Sequence, residues 1–296
     1  MKVAIMTDAN SGISVSEGAE LGVHVLPMPV LIDGKIYYEG VDLLSEEFYA
    51  SLREGRDVTT SQPSPGDVLA MWENILASND ALVYVPMSSG LSTSCQTAVM
   101  LSQDYNGRVQ VADNHSISVP MRYCVMDALE LARAGWSAVQ IKEALEGIAG
   151  DTHIYIGVDT LEYLKKGGRI TPAAAAMGTI LQLKPLLKIE GDKLDAFAKV
   201  RGTLPCKRRL IAEMRPLIER CEQSGYPFSV AAAGTFPEQA EAEEWIQMAR
   251  EAFPGYEIRY DPLAFSIGAH TGPGAFGMAV SRRVSPKDLR PNESLA

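Results

Sequence analysis

Short apolar runs alternate along the chain with longer stretches whose hydrophobic residues recur at helical spacing. The runs KVAIM (2–6), ALVYV (81–85), VQVA (109–112), HIYIGV (153–158), FSVAAA (228–233) and GMAVS (277–281) have the length of buried strands. Between them, Ser64 caps a helix with Pro65 at its first position, and Val68, Leu69, Trp72, Ile75 and Leu76 form one apolar face. Ser137 and Gln140 make a capping box ahead of Ile141, Leu145 and Ile148. A Glu-rich helix opens at Pro237 and runs to about Ala252. Such alternation predicts an α/β fold, with a mostly parallel sheet flanked by helices.

One stretch departs from this rhythm. LLKIEGDKLDAFAKVRG (186–202) predicts a β-hairpin around a turn at Glu190 to Asp192, with Leu194, Ala196, Ala198 and Val200 on one face. It follows TPAAAAMGTILQLKP (171–185), a predicted helix with Thr171 as cap and Pro172 at its first position. GIAGDTH (147–153) ends a helix in glycine and polar residues, so a division near residue 150 is expected. That gives two α/β domains: 1–150 with the mostly parallel sheet, and 151–296 with the hairpin insertion and a second sheet. The segment SPKDLRPNESLA (285–296) is expected to be a solvated tail.

Composition narrows the function classes. At 296 residues, 46% hydrophobic and 22% charged, the chain is an ordinary globular protein with ample core. A formal charge of −10 argues against general nucleic-acid binding, which relies on Lys and Arg neutralising phosphates. The opening MKVAIMTDAN breaks after four apolar residues, and no apolar run approaches the roughly 20 residues of a membrane span. A cytoplasmic protein is expected. Cys95, Cys124, Cys206 and Cys221 lack C-x-x-C spacing and read as reduced thiols, and four scattered histidines suggest no metal site.

Hydroxyl-rich loops follow strands or precede helices at VTTSQPSPGD (58–67) and YVPMSSGLSTSCQTA (84–98). In a doubly wound sheet such loops lie at the carboxyl ends of strands, where ligands bind. Their hydroxyls and free helix N–H groups suit an anion such as a carboxylate or phosphate, although each loop alone reads equally well as helix capping. EYLKKGGRITP (162–172) gathers Lys165, Lys166 and Arg169 about a glycine pair, and KVRG (199–202) places Arg201 at the end of the hairpin. A guanidinium binds carboxylate or phosphate bidentately, yet most surface arginines are simply solvated. GAHTGPGAFG (268–277) sets His270 among glycines and a proline, which predicts a loop rather than helix or strand. No G-x-S-x-G, Walker loop or G-x-G-x-x-G after a strand is found. Ser92, His270 and Asp113 could be assembled as a hydrolase triad, without support from their spacing.

In sequence and in order, TDANSGIS, LPMPVLIDGKIYYEGVDL, TTSQPSPGD, MSSGLSTSCQTA, YLKKGGRI, KVRG and GAHTGPGAFG resemble the DegV family of bacterial fatty-acid-binding proteins, over residues 1 to about 280. The family includes the acyl-binding subunit of bacterial fatty acid kinase. The resemblance implies a two-domain α/β fold holding a long-chain fatty acid in a buried tunnel between the domains. It implies a carboxylate bound by Thr60, Ser61, Ser89 and Ser92, with His270 and Arg169 near the head group. Arg201 would meet a kinase subunit that binds ATP and phosphorylates the carboxylate. This chain would be non-catalytic and carry no cofactor. One departure is LSTSC (91–95), where the family usually reads Leu-Ser-Gly-Thr-Tyr. The alternative from another class is a free-standing hydrolase or phosphotransferase using His270 and a loop serine.

Overall fold

The computed structural model describes residues 1–176, 183–190 and 193–284. Among these residues three sheets form. The first has the order Val23–Leu26, Val3–Asp8, Ala81–Val85, Val109–Val111, and every pair is parallel. Its central strands are buried on both faces, which is why they read as unbroken apolar runs. Successive side chains serve opposite cores. Ile5, Val83 and Val85 pack with Ala128, Leu131 and Ile141 of the helices Ser118–Arg133 and Ala138–Gly147. Met6, Leu82 and Tyr84 pack with Trp72 and Cys95 of the helices Pro65–Leu76 and Ser94–Ser102. The expected caps are present: Ser64 Oγ accepts from the Asp67 N–H, and Ser137 with Gln140 closes a capping box.

The second sheet runs Lys193–Arg201, Leu183–Glu190, Thr152–Gly157, Phe276–Arg282, Phe228–Gly234, Ile258–Pro262. Its pairs are antiparallel except the last. The 22-residue helix Thr203–Ser224 covers one face, with Leu210 and Met214 against Val230 and Met278. Trp245, from the helix Gln239–Ala252, enters the same core and donates its indole N–H to the Gly277 carbonyl at 3.3 Å. That helix begins two residues after the proline expected to open it.

The predicted hairpin is present, but its side chains do not share one face. The register slips between Ala196 and Ala198, a β-bulge. Leu194 and Ala196 therefore join a core with Ile156 and Leu187, whereas Ala198 and Val200 turn to the other core with Leu210. The hairpin's turn at residues 191–192, residues 177–182 of the helix expected from Thr171, and the tail at 285–296 lie outside the described residues. Leu183, Lys184 and Pro185, expected to end that helix, instead open the strand Leu183–Glu190, where they pair with the hairpin's second strand. The described part of that helix is Pro172–Ala175, capped by Thr171.

A third sheet, Lys35–Tyr38, Pro29–Ile32, Val58–Thr60, was not foreseen. Asp33 and Gly34 join its first two strands with φ of 51° and 81°, the left-handed pair that a tight hairpin needs. His270 lies in the last turn of a helix, Phe265–Thr271, and not in a loop. The glycine-proline run stops that helix at Gly272, with φ of 73°, and does not enclose the imidazole. Gly268 sits inside the helix because a β-carbon there would press on the Phe48 ring at 3.0 Å.

Candidate functional site

The carboxyl end of the first sheet supplies Met28 and Met87 to the cavity wall, and a buried polar network lies among the strand ends. Thr7 Oγ1 donates to the Val85 carbonyl at 2.9 Å, locking two adjacent strand ends. Asp8 is fully buried and accepts from the N–H groups of Asn10 and Met87, each at 2.9 Å, and from Asn10 Nδ2 at 2.7 Å. Burial pushes its pKa up, against those bonds. Asn10 Oδ1 in turn accepts from Ser266 Oγ at 2.6 Å, tying this strand end to the helix that carries His270. Sequence reasoning missed Asp8, Asn10 and Ser266. The signal was TDAN directly after the first apolar run.

The third sheet supplies Thr60, whose Oγ1 lies 2.7 Å from His270 Nε2. Burial lowers the His270 pKa to about 4, with the Arg169 charge adding to the effect, so the ring is neutral at physiological pH. Its Nδ1 is buried and has no partner among the described residues. The two glycines before Arg169 do different work. A β-carbon on Gly167 would stand 2.0 Å from His270 Nδ1, so only glycine admits the ring. Gly168, with φ of 71°, ends the helix Glu162–Gly167.

Arg169 donates from Nε to the Leu91 carbonyl at 3.2 Å and from a second nitrogen to the Gly167 carbonyl. Among the described residues it forms no ion pair with a carboxylate. On the Ser-rich loop, Ser92 Oγ accepts from the Ser94 N–H at 3.2 Å. Gln62 Oε1 accepts from Thr93 and Thr97, stapling the Thr60 segment to the helix behind that loop. The departure at LSTSC is absorbed locally: Thr93 has an ordinary φ of −73°, and Cys95 fills the core beside Trp72.

Thr60, Ser61, Ser92, Arg169, Ser266 and His270 all line one cavity. Beside it lies an apolar cavity walled by residues such as Ile156, Ile189, Ala232 and Met278. The two share Leu91, Ile117, Leu194 and Ile267 as walls. Two of the expected site residues stand elsewhere. Ser89 does not line either cavity; its N–H donates to Asp113 Oδ1 at 3.3 Å and its carbonyl accepts from Gln96. Arg201 is exposed at the end of its strand, opposite Leu183. A Ser–His–Asp triad is not formed, because His270 bonds Thr60 while Asp113 accepts the Ser89 and His115 N–H groups.

Residues 2–283 match the family model described as an uncharacterised protein of the DegV family. The chain belongs to the DegV family. The resemblance carried by its motifs is thereby borne out. A DegV domain-containing protein of Deinococcus radiodurans is 31% identical over 281 residues, covering 95% of this chain and 98% of its own. The fatty-acid-binding DegV family protein of Thermus thermophilus has a structure similar to this one, with TM-score 0.84 and 30% identity over 95% of this chain and 100% of its own. DegV of Bacillus subtilis, also a fatty acid binding protein, gives TM-score 0.81 at 26% identity over 96% of this chain and 100% of its own. Fatty acid binding is thus a property of DegV proteins of this fold. Among the described residues no helix is long and apolar enough to cross a membrane.

Proposed function

We propose that this chain binds a long-chain fatty acid between its 1–150 and 151–296 domains and presents the carboxylate to an ATP-dependent kinase partner, which forms the acyl phosphate. The observation that carries this reading is the sharing of walls between a polar, hydroxyl-lined cavity and an apolar one. A fatty acid needs such a pair: a greasy chamber for the chain and hydrogen-bond donors for the head. Chain burial dominates, at about 0.8 kcal/mol per CH₂.

Thr60, Ser61 and Ser92 offer neutral hydroxyls, and Arg169 offers a charge that no described carboxylate already neutralises. With the proton assigned to Nε2, His270 donates to Thr60 Oγ1, and the Thr60 hydroxyl is left free to donate to the ligand. Ser89 acts at one remove, holding the loop of Ser92 through Asp113. Arg201, exposed and lining neither cavity, is the residue assigned to docking the kinase. The chain itself performs no chemistry in this reading.

Native mass spectrometry of protein purified from a bacterial host tests it. A co-purified acid of about 16–18 carbons is expected, bound through the chain-burial term above. Preparations that are consistently empty and take up neither oleate nor palmitate would overturn the reading.

A further inference from the structure

The apolar cavity has one polar residue whose side chain is unaccounted for. Ser118 lines it, is only 7% exposed, and its Oγ has no hydrogen-bond partner among the described residues. Its backbone is also costly, with φ of 58° where a side-chain-bearing residue is uncommon. A buried unpaired hydroxyl and a left-handed serine are both unfavourable, and here they fall on one residue in a ligand-cavity wall. Ser118 is also the first residue of the 16-residue helix Ser118–Arg133, whose N-terminus no side chain caps. The next two positions, Val119 and Pro120, line the same cavity, so the uncapped helix end abuts it.

We propose that Ser118 and this helix end form a second polar subsite inside the acyl chamber, taking an uncharged oxygen on the chain of the bound lipid. The ligand class is a fatty acid with a hydroxyl or oxo group along its chain. This rests on the fatty-acid reading above and adds a preference to it. A charged second group does not fit, because the other lining residues are almost all apolar and none carries a charge. The subsite lies beyond the head group: Ile117 lines both cavities, whereas Ser118 lines the apolar one.

The test is a competition series on the full chain, stripped of lipid, with stearate and its positional monohydroxy and mono-oxo isomers. At least one isomer should bind the unmodified protein roughly 3- to 10-fold more tightly than stearate, the range of one net hydrogen bond. Ser118→Ala should abolish that preference while keeping stearate affinity. Ser118→Gly, which suits the positive φ, should do the same and guards against a folding defect in the alanine variant. If no isomer is preferred by the unmodified protein, or if the preference survives both substitutions, the subsite is refuted. If stearate and every isomer fail to bind, it is the fatty-acid reading that falls, and the subsite with it.

Discussion

Thr60 and His270, 210 residues apart in the chain, meet through a 2.7 Å contact between Oγ1 and Nε2 in the wall of the polar cavity. The contact joins a short strand of the smallest sheet to the last turn of a helix packed on it. Replacing Thr60 by Val keeps the shape and removes the hydroxyl. Leaving the buried imidazole without its partner should cost about 1–3 kcal/mol of stability. Fatty-acid affinity should fall by about 0.5–1.5 kcal/mol, the size of one net hydrogen bond. Urea denaturation and lipid titration of the same variant check both, and an unchanged unfolding midpoint would mean the contact contributes nothing.

The pKa of His270, lowered to about 4, gives a pH prediction with a definite sign. Between that value and the ordinary 6.5 the unfolded chain binds more protons than the folded one, so stability rises with pH. This contribution is complete above about 6.5 and is lost as the pH falls through the folded-state value. His270→Gln should flatten that part of the acid limb. In NMR titrations the His270 ring should titrate near 4, and Arg169→Gln should move it partway up. Return to 6.5 is not expected, because burial is the larger cause. A ring titrating near 6.5 in the unmodified protein would sink the argument.

Gly167 should tolerate no side chain while His270 is present. Gly167→Ala places a β-carbon 2.0 Å from His270 Nδ1 and should cost about 1–3 kcal/mol through overpacking. His270→Ala removes the obstacle, so the double variant should recover most of that loss in a double-mutant cycle. Additive effects would show that the two residues do not press on each other.

Much of the fold was legible because the first sheet is covered on both faces. Ala81–Val85 reads as five apolar residues in the sequence and forms a strand with the same bounds. Other features escaped for physical reasons. Lys35–Tyr38 is an edge strand with Ile36 half exposed, so its pattern is neither a clean alternation nor a buried run, although Asp33-Gly34 was a readable turn signal. The bulge at Ala196–Ala198 splits the hairpin between two cores, and period-2 reading carries no sign of a register slip. At GAHTGPGAFG the composition argued for a loop, but Gly268 is a packing glycine under Phe48 and the helix continues past it. The site was legible as polar loops and not as a constellation. Nothing near Thr60 in sequence specifies His270, and the Asp8–Asn10–Ser266 chain likewise spans distant segments.

Holding the lipid and handing it over should separate by mutation. The acyl chain dominates binding, so losing one head-group contact leaves most of the affinity in place. His270→Ala should therefore retain bound fatty acid, as should Arg201→Ala, whose side chain is exposed and lines neither cavity. With a cognate kinase and ATP, both should lose most acyl-phosphate formation, for different reasons. If Arg201 acts through subunit docking as proposed, its defect should be largest at low salt and should narrow as salt weakens the unmodified pair. If His270 acts at the phosphoryl step as proposed, through its hold on Thr60, its defect should persist at saturating kinase. Bound lipid is measured by native mass spectrometry and acyl phosphate by trapping the product. If both variants are lipid-free, or both support normal phosphorylation, the division of roles is wrong.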